Sequence, residues 1–386
     1  MENRKLRMGM IGGGKEAFIG AVHRIAANID GQVEFCCGAL SSRPDVAMES
    51  GKLLFLPEDR TYLNYEDMIT QESKLPADKR IDFISIVTPN FAHFAPAMMA
   101  LDHGFNVVLE KPMVFSLDEA KQLQQKVKET GLSLCLTHTY SGYPMVKQAR
   151  QMVAAGELGS IRKIMVEYPQ GWLSTLAELD GNPGAAWRTD PARSGKSGAM
   201  GDIGTHAAQL AEYISGLKIS QLCADLSIVV TGRGLDDDGN VLLKFDNGAN
   251  GILVASQIAA GEENALKIRV YGEKGGLEWH QMEPNTLIVR WLDQPAQIYR
   301  TGQSYLSDIA KYNTRTPSGH PEGYLEAFAN IYRNFVTTLR TKMEGGTPTA
   351  EMLDFPTAED GVRGMAFIES VVASSQSDQK WYNFKI

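Results

Sequence analysis

Cysteine is scarce in this chain: Cys36, Cys37, Cys135 and Cys223 are the only four among 386 residues, with no CxxC pair and no metal-ligand spacing. That excludes a disulfide framework and gives no ground for a bound metal. Three of the four sit in apolar, strand-like runs, where a thiol serves as a small core residue. Long hydrophobic runs are also missing, so no membrane span is expected. Met1–Arg7 leads straight into a short strand without a signal peptide's apolar region, and a cytoplasmic protein is expected. Positive charge is in deficit: 38 basic against 46 acidic residues give a net charge of −8, with the basic ones dispersed. A nucleic acid would find no docking surface, and a small-molecule partner is expected. No internal repeat or low-complexity tract is present.

What is there is a hydrophobic content of 43% over 386 residues, enough for two domains with a core each. Short apolar runs at Leu6–Ile11, Val33–Leu40, Ile81–Val87, Val107–Leu109 and Ser133–Thr137 alternate with helical patterns such as Leu117–Glu129. That alternation predicts an α/β domain over residues 1–140 with a doubly wound parallel sheet. The charged insert Gln71–Arg80 reads as a solvated surface loop.

From 141 to 386 the pattern changes. A helix over Val146–Ala155 precedes strand-like stretches near 161–168, 222–230, 240–246, 250–257, 266–271, 276–280 and 286–292, with few helices between the later ones. This predicts an α+β domain with a large, mostly antiparallel open sheet, whose free face suits a homodimer or homotetramer. Helices are expected over Pro321–Arg340 and Thr357–Ser374, with a strand-like ending at Trp381–Phe384. The Gly-, Pro- and Ser-rich region Gln170–Gly201 is too long for a passive connector and reads as functional.

Gly12-Gly13-Gly14 follows the first strand and opens onto a helix near Phe18, where backbone amides can meet a pyrophosphate. The ideal G-x-G-x-x-G spacing is not met, because the next glycine is Gly20. After the second strand, where an NAD site usually offers Asp or Glu, stand Ser41, Ser42 and Arg43, which leaves NAD and NADP both open. Thr88-Pro89-Asn90 ends the third strand at the same sheet edge, either as a cofactor contact or as an ordinary capping turn.

Asn106-Val-Val-Leu-Glu110-Lys111-Pro112 puts a charged pair at the carboxyl edge of the sheet, where open α/β folds bind ligands. The Lys111–Pro112 bond could be cis or trans. Gly201-Asp202-Ile-Gly-Thr-His206 places an aspartate and a histidine four residues apart on neighbouring faces of one helix, a pattern suited to acid–base work or, equally, to a helix cap and a buried histidine. Taken together, these segments resemble the Gfo/Idh/MocA oxidoreductase family, which also shows Gly20 with His23, Asn90 with His93, and Ala155-Gly-Glu-Leu-Gly-Ser-Ile161. The likeness covers essentially the whole chain.

The resemblance implies a Rossmann domain followed by an α/β domain with a large open sheet, NAD or NADP as cofactor, and a sugar or polyol substrate. It casts Lys111 as the lysine that touches substrate and nicotinamide, and His206 as proton acceptor beside Asp202. Glu110, Thr88, Pro89, Asn90 and His93 would lie along the cofactor. Tyr140, Tyr143, Trp172, Trp187, Arg188 and His320 are the candidate sugar contacts, by aromatic stacking and hydroxyl binding. His103 and His280 read as structural. The expected reaction is oxidation of a secondary ring hydroxyl of a sugar, glycoside or inositol. The alternatives are an NAD-dependent glycosidase working by transient oxidation and elimination, and a sugar- or nucleotide-sensing protein without turnover.

Overall fold

The computed structural model describes residues 4–386, so the first three residues of the amino-terminal stretch lie outside it. The chain divides into two compact units: Met1–Thr139 with Tyr324–Val362, and Tyr140–Gly323 with Arg363–Ile386.

The first unit carries β1 (Leu6–Gly12), α1 (Phe18–Asn28), β2 (Val33–Ala39), α2 (Pro44–Leu53), α3 (Tyr65–Lys74), β3 (Phe83–Val87), α4 (Phe94–Asp102), β4 (Asn106–Leu109), α5 (Leu117–Thr130) and β5 (Leu134–Leu136). Its sheet is all parallel in the order β2-β1-β3-β4-β5. The chain leaves β1 to one side for β2 and returns to the other for β3, so the switch point lies between β1 and β3. Local chemistry sets the helices: α5 starts where Ser116 accepts from the Glu119 amide and stops at Gly131 with φ 67°.

Two expectations need correction. The insert Gln71–Arg80 is not all solvated loop, because its first four residues complete α3, and Glu72 is fully buried. There it accepts hydrogen bonds from Arg60 at 2.5 and 3.0 Å and from the Tyr62 hydroxyl at 3.0 Å, which offsets the burial of its charge. The second correction concerns the helix Tyr324–Met343, placed by sequence order in a second domain over 141–386. It packs in the first unit, with Phe328, Tyr332, Phe335 and Val336 joining Met8, Met10, Val22 and Phe83 in one core cluster.

The second unit holds α6 (Pro144–Ala154), β6 (Ile161–Pro169), α7 (Pro183–Arg188), α8 (Pro191–Ser194) and α9 (Thr205–Ser215), then β7 (Ile219–Ser227), β8 (Asp238–Phe245), β9 (Asn250–Ser256), β10 (Lys267–Gly272), β11 (Gly275–His280), β12 (Thr286–Trp291), β13 (Gln297–Arg300) and β14 (Tyr382–Asn383). Nine strands form one sheet, β13-β12-β11-β10-β6-β9-β8-β7-β14, antiparallel except at β6 and β9. Ile164, Val166 and Tyr168 alternate inward on β6, while Met165 of β6, Ile252 and Val254 of β9 and the exposed Leu242 of β8 lie on the more open side. No helix among the described residues is long and apolar enough to cross a membrane.

Candidate active site

In the first unit the functional groups gather at the carboxyl ends of β1, β3, β4 and β5. Gly12 and Gly13 adopt φ of 80° and 73°, a region costly for side-chain-bearing residues. A Cβ on Gly20 would stand 2.3 Å from the Gly13 carbonyl oxygen. Gly20 therefore does the work of the third glycine, letting α1 pack on the turn, and the longer spacing is absorbed by the residues between Gly14 and α1. Arg24 donates to the Gly13 carbonyl at 2.6 Å and braces the turn from below. No side chain caps the first turn of α1. Positive-φ glycines, close helix packing and an uncapped helix start fit a dinucleotide pyrophosphate.

Thr88 follows β3 beside Gly12, and its hydroxyl donates to the Ala92 carbonyl at 3.1 Å. His93 is buried, with Nε2 2.7 Å from the Thr88 carbonyl and Nδ1 3.0 Å from the Pro112 carbonyl. His93 thus braces two loops, with both ring nitrogens engaged by backbone carbonyls. Burial pushes its pKa down, against the pull of the Thr88 carbonyl. The Lys111–Pro112 bond is cis.

Glu110 is buried beside Lys111. Its Oε1 lies 2.9 Å from His23 Nε2 and accepts from Thr137 Oγ1 at 2.6 Å, while Oε2 accepts from the Lys111 amide at 3.1 Å. Behind it, His23 Nδ1 lies 2.6 Å from the Tyr332 hydroxyl and 3.1 Å from Ser85 Oγ. Burial raises the Glu110 pKa, but the hydrogen bond and charge of His23, the charge of Lys111 and the Thr137 hydroxyl outweigh it and hold the carboxyl at about 2. Glu110 is thus a fixed anion that orients the loop carrying Lys111. His138, which no motif marks in the sequence, follows β5 at the same sheet edge. Burial first, and the charge of Lys111 second, depress its pKa to about 3, so it stays neutral.

The second unit assembles a different set. Asp202 lies on a single π-helical turn, Met200–Gly204, closed by a bond from the Thr205 amide to the Met200 carbonyl and leading into α9. Such turns are rare and favour functional sites. The ordinary α-helical turn assumed for the Asp202 and His206 spacing is therefore replaced by a wider one. Asp236 fixes its start: the carboxylate accepts from the Gly198 amide at 2.8 Å and the Met200 amide at 2.9 Å.

Asp202 Oδ2 accepts from Arg188 Nε at 3.1 Å and Gln257 Nε2 at 2.9 Å. Arg188 ends α7 and lies over the Trp187 ring at 4.3 Å and the Trp172 ring at 5.9 Å. The long Gln170–Gly201 region thus delivers Trp172, Trp187 and Arg188 to Asp202. His206 is buried with its ring edge-on to Tyr140 at 5.0 Å, and Tyr168 is 6.4 Å away. The Tyr140 and Tyr168 hydroxyls are hydrogen-bonded, and Tyr168 donates to Asn264 Oδ1 at 2.6 Å. Burial raises the Tyr140 pKa, so its hydroxyl is neutral.

Two of the candidate sugar contacts are placed differently from the rest. Tyr143 is 1% exposed and packs between Tyr140 and Trp279 in the core. His320 is exposed on a turn, its Nδ1 3.2 Å from the Pro317 carbonyl. Conversely, Tyr168, Gln170, Asn264 and Gln257 belong to the polar cluster and were not foreseen. Tyr168 and Gln170 stand at the end of β6 and Gln257 just past β9, and only the parallel pairing of these strands brings both ends to one edge.

Two family models match the chain: an oxidoreductase family with an NAD-binding Rossmann fold over residues 6–138, and a GFO/IDH/MocA C-terminal domain over residues 146–278. An uncharacterized oxidoreductase of Bacillus subtilis, YfiI, is 32% identical over 99% of this chain and 98% of its own length. A levoglucosan dehydrogenase of Pseudarthrobacter phenanthrenivorans is 26% identical over 76% of this chain and 78% of its own. An inositol dehydrogenase homolog from Azotobacter vinelandii, solved with NAD+, superposes with a TM-score of 0.94 at 33% identity, covering 99% of this chain and 98% of that one. The complex of that homolog with NADH and myo-inositol gives a TM-score of 0.91 at 32% identity, over 99% of this chain and 98% of that one.

Proposed function

The chain belongs to the GFO/IDH/MocA oxidoreductase family, and from that premise we propose that it oxidises a secondary ring hydroxyl of a sugar, glycoside or inositol, reversibly giving the ketone. The observation that carries this reading is the buried anchoring of Glu110 beside Lys111, matched by a donor-held Asp202 one helical turn from His206. The myo-inositol of the Azotobacter complex and the name of the levoglucosan dehydrogenase support the substrate class.

The residues fit NAD through the glycine turn and the open start of α1, and when bound its nicotinamide ring accepts a hydride. The Lys111 ammonium polarises the reacting hydroxyl and favours its ionisation. The imidazole of His206 takes the hydroxyl proton, its ring plane set by the edge-on contact with Tyr140. Asp202, held by Arg188 and Gln257, is the carboxylate that supports the imidazole as it takes up the proton. Trp172 and Trp187 offer aromatic faces for the apolar side of a sugar ring, with Tyr140 and Arg188 as polar contacts. The neutral His138 adds a polar group near Lys111 without competing charge.

We assign the assembly to a homodimer or homotetramer through the open face of the nine-stranded sheet, supported by its apolar Met165, Leu242, Ile252 and Val254; light scattering giving a monomer would reject this. For the chemistry, purified protein mixed with NAD or NADP and a panel of inositols and glucosides should raise nicotinamide absorbance, and Lys111→Ala should abolish the rise. Cleavage of a glycoside without net cofactor reduction would point instead to transient oxidation and elimination. Nucleotide binding with no turnover on any sugar would point to a sensor.

A further inference from the structure

In the first unit, β2 ends without the carboxylate that commonly holds an adenosine ribose, and Arg43 stands four residues further on. An arginine at that place suits the extra phosphate of NADP. The residues between Gly14 and α1 change this. The Gly14 amide donates to the Leu40 carbonyl at 3.0 Å, and the Lys15 amide donates to Ser50 Oγ at 3.0 Å. Lys15 Nζ pairs with Glu49, and Arg43 Nη2 pairs with Glu16 Oε2 at 2.5 Å. Four attachments pin the inserted turn to the end of β2 and to α2.

We infer that Glu16 supplies the missing acidic group and sets the cofactor preference to NAD over NADP. Its carboxylate neutralises the guanidinium that would otherwise attract a 2′-phosphate, and it repels that phosphate directly. Both side chains are more than half exposed, at 61% for Glu16 and 56% for Arg43, so the pair faces solvent where a ligand can meet it. Ser41 strengthens the arrangement, because its Oγ accepts from the Arg43 amide at 3.2 Å and fixes the turn on which Arg43 sits. The usual acid grows out of the second strand; here it comes from the lengthened glycine turn.

This inference rests on dinucleotide binding alone and not on the identity of the sugar. The experiment is a fluorescence titration of NAD and NADP into the wild type, Glu16→Gln, Arg43→Ala and the double variant, each checked for folding by circular dichroism. The wild type should bind NAD about tenfold or more tighter than NADP. Glu16→Gln should shift the preference toward NADP by about tenfold relative to NAD, and Arg43→Ala on that background should remove the gain. A wild type preferring NADP, or a Glu16→Gln variant whose NAD-to-NADP ratio stays within about twofold of the wild type, would overturn the assignment. Binding of neither nucleotide would overturn it together with the dinucleotide site, whereas sugar oxidation that fails while NAD still binds selectively would leave it standing.

Discussion

His23 Nε2 lies 2.9 Å from Glu110 Oε1, joining a helix of the glycine motif to the residue that precedes Lys111. Both are buried, and Tyr332, from a helix some three hundred residues later, closes the far side of the imidazole at 2.6 Å. A glycine turn, a strand end and a late helix thus share one polar core. Replacing His23 by leucine leaves the Glu110 charge buried without its main partner and should cost about 3 kcal/mol. Urea unfolding of His23→Leu measures this, and a loss under about 1 kcal/mol would show the pair to be incidental.

Acid stability follows from the same groups. The Glu110 pKa falls from 4.5 to about 2 on folding, so its contribution is present above pH 4.5 and is lost as the pH drops toward 2. His138 falls from 6.5 to about 3, and because its unfolded form binds the proton first, stability declines as the pH drops from 6.5 toward 3. Between pH 6 and 4, His138→Gln should therefore lose stability less steeply than the wild type, by about 1.4 kcal/mol per pH unit at most. Parallel stability curves for the two proteins would reject a buried neutral His138.

Gly20 is predicted to be intolerant of even one added carbon. Its Cβ would lie within 2.7 Å of three backbone atoms of Gly13, so Gly20→Ala must push α1 away from the turn. A loss of about 1–3 kcal/mol and a weakening of NAD binding should appear together in thermal melts and titrations. A variant with normal melting and normal affinity would mean that the close packing is not needed.

Asp236 is predicted to act through the π-helical turn. Asp236→Ala frees two buried amides, Gly198 and Met200, and should loosen Asp202 and His206. Turnover should fall by about tenfold or more, while NAD affinity, set in the other unit, stays unchanged. Unchanged turnover in a folded variant would remove Asp236 from the support of the site.

Much of this was legible in the sequence. Strand and helix patterns located both sheets, because period-two and period-3.6 burial are written into residue order. Gly12, Gly13, Gly20, Lys111, Asp202 and His206 stand out as candidates because backbone freedom and rare polar groups at strand ends leave a local mark. Glu72 was misread because a buried charge looks like a solvated one until Arg60 and Tyr62 are folded around it. Tyr332 and the β6–β9 edge with Gln257 depend on contacts between distant segments, for which residue order carries no period. The placement of Tyr143 against Trp279 was hidden for the same reason.

The most direct test follows hydride and proton together. A polyol deuterated at the reacting carbon, mixed with NAD and enzyme, should transfer its label to the nicotinamide, and His206→Ala should slow that transfer by about 10²–10⁴-fold with NAD affinity intact. Unlabelled product, or a His206→Ala rate within about threefold of the wild type, would contradict a dehydrogenase with His206 as its base.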